Sequence, residues 1–239
     1  MKCIPVLILI ALVLALLAAC GSAPPSPPAE TSPAPEEGQA AAPEPEPPAA
    51  ELPEPYRELL ARYVRADAEQ WDPGRLTDEG LNILCRYCWE SDTSGEIGYL
   101  VEDLDGNGTP ELLIGVMDGE NFTDRLLFDL YTLTDGEPVT LFQGWERNRW
   151  FLLSDGRFYN YGSASAEYSW TSAFTLEDGA LVASEGIALY STNEADSYFQ
   201  LDPHGEDGEA LMNDEAEAQL DAWAEACIQP DFIPLSQYK

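Results

Sequence analysis

From Ile97 to Leu201 apolar residues recur at about every second position, and Asp-Gly pairs lie between several of the runs, among them Asp135-Gly136, Asp155-Gly156 and Asp178-Gly179. A period of two sends alternate side chains to opposite faces of a strand. Asp-Gly supplies the left-handed backbone of a tight hairpin turn at little steric cost. Together they predict an antiparallel meander with strands at 97–102, 111–117, 126–133, 139–143, 150–153, 157–161, 169–176, 180–183, 187–190 and 197–201. The residues flanking the Asp-Gly pairs do not match one another, which disfavours a propeller or solenoid built of true repeats.

The flanks of this region read as helix. Tyr56, Leu59, Leu60, Tyr63, Val64 and Trp71 share one face at helical spacing, with Glu58 and Arg62 four apart on the outer side. A second helix is expected to start at Thr77 as N-cap and to turn Leu81, Leu84, Cys85 and Cys88 inward. A C-terminal helix over 214–227, capped by Asn213, carries Leu220, Trp223 and Cys227 on one stripe, and the apolar tail Phe232-Ile233-Pro234-Leu235 is expected to dock. The expected fold is a single α+β domain over residues 56–239: N-terminal helices, a β-meander with Asp-Gly hairpins, and a C-terminal helix. At 184 residues such a domain buries enough surface to stand alone.

The first 55 residues are of another kind. Met1-Lys2 precede an apolar run from Ile4 to Ala19, shorter than the roughly 20 residues a spanning helix needs. The run ends Leu17-Ala18-Ala19-Cys20-Gly21, which resembles the bacterial lipobox. That resemblance implies a signal peptide over 1–19, a diacylglycerol thioether on Cys20, and a mature protein anchored to the extracytoplasmic face of the cell membrane. Two acyl chains hold a protein stably on a membrane surface. Residues 20–55 then form a tether: twelve of the chain's 19 prolines fall between Gly21 and Pro55, with seven Glu and no Lys or Arg. Such a segment can neither pair in a sheet nor continue a helix, and it extends as a polyproline-like spacer of about 3.1 Å per residue.

Between the first two expected strands lies Asp103-Leu104-Asp105-Gly106-Asn107-Gly108-Thr109-Pro110-Glu111. Oxygens from the side chains of Asp103, Asp105, Asn107 and Glu111 and the carbonyl of Thr109 can converge on one hard cation, and Gly106 and Gly108 permit the tight path. The all-oxygen donor set suits Ca²⁺; Mg²⁺ asks for stricter octahedral geometry, and softer metals for His or Cys. These residues, with the following Leu112-Leu113-Ile114-Gly115, resemble one calcium loop of FG-GAP/VCBS-type repeats, which implies a structural Ca²⁺. The motif occurs once here, whereas those families repeat it around a propeller. It departs from the EF-hand at its twelfth position, where Ile114 stands in place of the bidentate Glu. The order of helical start, aspartate-rich loop and Asp-Gly hairpins is similar to that of uncharacterised lipoproteins of Gram-positive bacteria.

Forty-four acidic against eleven basic residues give a formal charge of −33. That field excludes nucleic acid, whose binding is driven by basic residues neutralising phosphates. The one histidine, His204, excludes a His-rich metal site, and no G-x-S-x-G is present. Cys85, Cys88 and Cys227 leave three readings open: apolar packing, a disulfide from Cys227 to one of the pair, or a redox Cys85-x-x-Cys88. Trp145, Trp150, Tyr159, Tyr161, Tyr168 and Trp170 crowd one region; exposed and coplanar they would stack on sugars, while on inward faces they are core. In so acidic a domain, carboxylate pairs alone say nothing about a glycosidase. The expected function is a non-catalytic module binding an extracellular ligand or protein, with carbohydrate binding or glycan hydrolysis on the aromatic strands as the alternative.

Overall fold

The computed structural model describes residues 52–89, 95–193 and 195–239. The expected signal peptide, the expected lipidation site Cys20 and the expected tether up to residue 51 lie outside the described residues. Among those described, no helix is long and apolar enough to cross a membrane.

One antiparallel sheet of twelve strands dominates. In chain order these are β1 (Glu96–Glu102), β2 (Glu111–Met117), β3 (Leu127–Thr134), β4 (Glu137–Gln143), β5 (Asn148–Leu153) and β6 (Phe158–Ser163). Then come β7 (Tyr168–Glu177), β8 (Ala180–Ser191), β9 (Asp196–Leu201), β10 (Asp207–Leu211), β11 (Cys227–Ile228) and β12 (Ile233–Pro234). The α-helices are α1 (Glu54–Glu69), α2 (Pro73–Asp78) and α3 (Asn213–Ala226), with a 3₁₀ segment at Ile83–Cys88. Strand residues outnumber α-helical ones about two to one. The expected balanced α+β domain is therefore corrected to a β-rich fold on which helices are accessories.

The reason lies in the helical flanks. The expected helix from Thr77 does not form. Asp72 caps Pro73–Asp78 instead, its carboxylate accepting the Arg75 N–H at 3.0 Å, with Pro73 in the first turn where its missing donor costs nothing. The helix stops within two turns at Gly80, whose φ of +69° is left-handed. Leu81, Leu84 and Cys85 still reach the core, from extended and 3₁₀ backbone. Asn213 lies within α3 rather than capping it; its amide donates to the Asp196 carbonyl at 3.4 Å, while Asp214 and Glu215 supply the negative charge a helix start favours. At the other end α1 begins at Glu54, so the last residues of the expected tether are its first turn.

The meander itself forms, running β5 to β10 in unbroken neighbour order and β3, β2, β1 on the other side. β4 and β5 share one edge of β3, Asp129 pairing with Gln143 and Leu127 with Trp150. Asp135-Gly136 and Asp178-Gly179 adopt the paired positive φ of two-residue hairpins, whereas at the third pair only Gly156 is left-handed and Asp155 accepts the Arg157 N–H. The segments expected at 180–183 and 187–190 are one long strand with an irregularity opposite Ala173/Phe174. β10 is an additional strand that the apolar pattern does not predict, since its Asp-Gly-Glu-Ala-Leu sequence is polar and the strand is exposed at the sheet edge.

One face of the sheet carries both long helices: α1 packs on Leu112, Ile114, Leu126 and Phe128, and α3 on Tyr159, Ala173, Ile187 and Tyr198, with Phe151 touching both clusters. On the opposite face Leu113, Leu127, Leu130, Phe142, Trp150, Phe158 and Leu176 form a third cluster that also takes in Leu104. The sheet curls over this face: the Gly179 N–H at the β7–β8 turn reaches Asp105, just past β1, at 2.7 Å, although β2, β3, β5 and β6 lie between β1 and β7 in strand order. The tail docks as expected. Phe232 lies over the paired Gly98 and Gly115, where any Cβ would come within 3 Å of its side chain.

Candidate metal centre

The 103–111 loop closes the β1–β2 hairpin, and strong strand formers on both sides bring its ends together at the Glu102–Glu111 pair. Inside it, backbone N–H groups bind the acidic side chains. The Gly108 N–H donates to Asp103 at 2.9 Å, the Asn107 N–H to Asp105 at 3.0 Å, and the Thr109 N–H to Asn107 Oδ1 at 2.7 Å. Gly106 and Gly108 carry φ of +75° and +91°, a path that side chains other than glycine resist.

Three distant elements hold the loop. Tyr56 of α1 donates its hydroxyl to the Pro110 carbonyl at 2.9 Å. Thr132 of β3 donates to Glu111 Oε1 at 2.9 Å, with the Leu104 N–H on Oε2 at 3.0 Å. The Gly179 N–H, at the β7–β8 turn, donates to Asp105 Oδ2 at 2.7 Å. The curl of the sheet thus ends on this loop.

Carboxylate oxygens of Asp103, Asp105 and Glu111 lie within 4.8 Å of one another. Oxygens around one Ca²⁺ are separated by up to roughly twice a Ca–O distance of about 2.4 Å, so the three fit a single ion. Asp103 is exposed, Asp105 half-buried and Glu111 fully buried. Burial pushes the Glu111 carboxyl above the usual carboxylate range, and the charges on Asp105 and Asp103 add to this, while the Leu104 N–H and Thr132 hydroxyl act against it. Among the described residues no Arg or Lys forms an ion pair with any of the three. Asn107 stands beside them, its amide donating to Asp105 at 3.0 Å, and Thr109 is half-buried. The donor set is hard oxygen throughout, which fits calcium and offers nothing to a soft metal.

The aromatic candidates do not share a surface. Trp150 is stacked on Phe142 at 4.3 Å within the core, and Tyr159 packs on Trp223 of α3 across the sheet. Tyr161 lies under the Arg149 guanidinium at 4.9 Å. Trp145 is 48% exposed, on the short excursion between β4 and β5. Trp170 and Tyr168 remain half-exposed neighbours on β7, with ring centroids 5.9 Å apart.

Cys85, Cys88 and Cys227 are all free thiols. Burial pushes Cys85 well above its ordinary range, Cys88 to about 12 and Cys227 to about 11. Such thiols are packing groups, opposite in character to the thiolate that exchange chemistry needs.

Sequence reasoning passed over a second fully buried acid. Asp129, in the middle of the apolar β3, is fully enclosed; it accepts from the Tyr63 hydroxyl and from Asn82 Nδ2 at 3.0 Å, and Tyr63 meets the Tyr131 hydroxyl at 3.2 Å. Burial raises its carboxyl to about 6. An acid breaking the apolar run Leu126–Leu133 was the available signal. Searches against protein-family models, curated proteins and solved structures find no match to this chain.

Proposed function

We propose that this chain is an exported, lipid-anchored protein, held by diacylglycerol on Cys20 and displaced from the membrane by its Pro/Glu tether. Its folded domain is a non-catalytic module that binds an extracellular ligand or protein. The Asp103–Glu111 loop takes Ca²⁺ as a structural clip, with Asp103, Asp105, Asn107 and Glu111 as side-chain ligands and Thr109 as the carbonyl ligand. The observation that carries the metal reading is the convergence of three carboxylates, one of them fully buried, with no ion-pair partner among the described residues. Burying an anion without a counter-charge is costly, and a divalent cation offsets that cost. The ion would also tighten the loop under the Gly179 turn, and so steady the curl of the sheet.

Single extracellular calcium modules have dissociation constants of about 10⁻⁴–10⁻³ M. At millimolar calcium, linkage then contributes about 0.4–1.4 kcal/mol to folding. The test is the rise in melting temperature on replacing EDTA by calcium, compared between the wild type and Asp103→Ala plus Asp105→Ala. The double variant loses the bonds from Gly108, Asn107 and Gly179 and melts lower on its own account. The increment is therefore the readout: it is expected in the wild type and absent in the variant, and equal increments would remove the site. The anchor is tested separately by mass spectrometry of the native material, which is expected to begin at a diacylated Cys20. An intact Met1 would overturn export.

A further inference from the structure

A cleft of about 410 Å³ opens between the β7–β8 face and the β9–β10 turn, lined among others by Tyr168, Trp170, Ser172, Ser184, Asp202 and His204. Its size is that of a small-molecule site. Trp170 is fixed before any ligand arrives. Its ring packs directly against Gly162, where a Cβ would come within 2.1 Å of two ring atoms, and its indole N–H donates to Asn160 Oδ1 at 3.2 Å. Asn160 is in turn held through Nδ2 by Asn148 Oδ1 at 2.7 Å and the Arg149 carbonyl at 3.1 Å. A ring held this way loses little freedom on binding. Beyond it Tyr168, Tyr190 and Phe199 continue a row of rings with centroid spacings of 4.8 and 5.7 Å.

The charges in the cleft decide among ligands. Glu185 also lines it, but its Oε1 is paired with Arg157 at 2.9 Å. Asp202 accepts the N–H groups of His204 and Glu206 at 2.8 and 2.9 Å, which hold its carboxyl below the usual range. The Glu185 charge is thus met by Arg157, while Asp202 stays a carboxylate whose remaining lone pairs can accept from ligand hydroxyls. The surrounding field of a chain at −33 repels anions. What remains is a flat aromatic surface beside serine hydroxyls and carboxylate oxygens that can still accept: surroundings for a ring with one apolar C–H face and several hydroxyls.

We infer that this cleft binds one ring of a neutral pyranose sugar, stacked on Trp170, with its hydroxyls toward Ser172, Ser184 and Asp202. This names a ligand class for the binding module proposed above and rests on that reading, but not on calcium.

The test takes the full-length chain, in calcium and again in EDTA, over neutral oligosaccharides of glucose, mannose, galactose or N-acetylglucosamine. Polyuronate, sialylated glycans and tetramethylammonium serve as charged controls. Saturable binding to at least one neutral glycan is expected, with Trp170→Ala weakening it about tenfold or more, as loss of a central aromatic anchor does. Ser184→Phe, which fills the cleft from an exposed position, is expected to abolish binding, and Trp145→Ala to leave it unchanged. Should Trp170→Ala fail to fold by circular dichroism, Ser184→Phe decides. No neutral glycan bound, binding of the charged controls alone, or wild-type affinity in the folded cleft variants would each overturn the inference. A calcium increment that survives such a failure leaves the metal loop standing, and glycan binding in EDTA leaves the cleft standing without it.

Discussion

β2 and β3 are buried on both faces, whereas β8 and β10 at the other end of the same sheet are largely wet. Under α1, residues Glu111–Val116 and Leu127–Thr132 have almost no exposure, because the helix covers one face and the curled sheet the other. Toward β10 only α3 covers part of one face, and Val182 and Tyr190 of β8 stand exposed. The difference is already present in the residues: Leu-Leu-Ile-Gly-Val stays apolar to the end of its strand, while Ala-Leu-Val-Ala-Ser-Glu turns polar halfway along its strand. The first end supplies most of the cohesion and holds the acidic loop; the second supplies surface and holds the cleft.

The widest contrast is expected from the core. Phe128 is fully buried between α1 and the sheet, so Phe128→Ala should cost about 3–5 kcal/mol of unfolding free energy in urea denaturation. A loss below about 1 kcal/mol would mean that the helix-covered end is not where stability resides.

Next in size is the buried acid of the same end. The Asp129 carboxyl lies at about 6 in the folded chain against an ordinary 3.8. The folded state therefore binds the proton more tightly than the unfolded one. This contribution to stability is fully present below about pH 4 and is lost as pH rises through 6, on the order of 3 kcal/mol in all. Glu111, also raised, acts with the same sign. Asp129→Asn keeps an acceptor for Tyr63 but cannot titrate. Its stability relative to wild type should therefore improve between pH 4 and pH 8, whatever its absolute value. Parallel pH profiles would show that Asp129 is not the group responsible. No counterpart is expected at the other end, where the carboxylates of Asp155 and Asp202 are shifted the opposite way.

How much of this could be read from the residues depends on range. The convergence of Asp103, Asp105 and Glu111 was legible because these residues recur at fixed spacing within nine residues, and the Asp-Gly hairpins because each turn is local. What fixes the loop was not legible: Thr132, Tyr56 and Gly179 reach it across 21, 54 and 74 residues, and only the curl of the sheet brings the last of them there. The aromatic strands show the same limit. Alternation distributes Trp150, Tyr159 and Trp170 over two faces, but which face is covered depends on where α1, α3 and the curl fall. The helical share was overread since Asp72-Pro73 out-competes Thr77 as a start, and Gly80 ends the short helix that Pro73 begins.

The smallest effect tests the open end most directly. Val182 is 43% exposed and pairs with Thr175, while its neighbour Leu181 turns to the cluster beneath the curl. Thr has nearly the same shape as Val and a similar liking for strands, so Val182→Thr trades an apolar methyl for a hydroxyl that water can satisfy. On a wet face that exchange should change unfolding free energy by no more than about 0.5 kcal/mol. On a covered face the hydroxyl would be buried without a partner, and the cost would rise to about 1–3 kcal/mol. A loss of that size would place a covering surface over β8 in solution, and a dependence of the melting temperature on protein concentration would then identify it as a second copy of the chain.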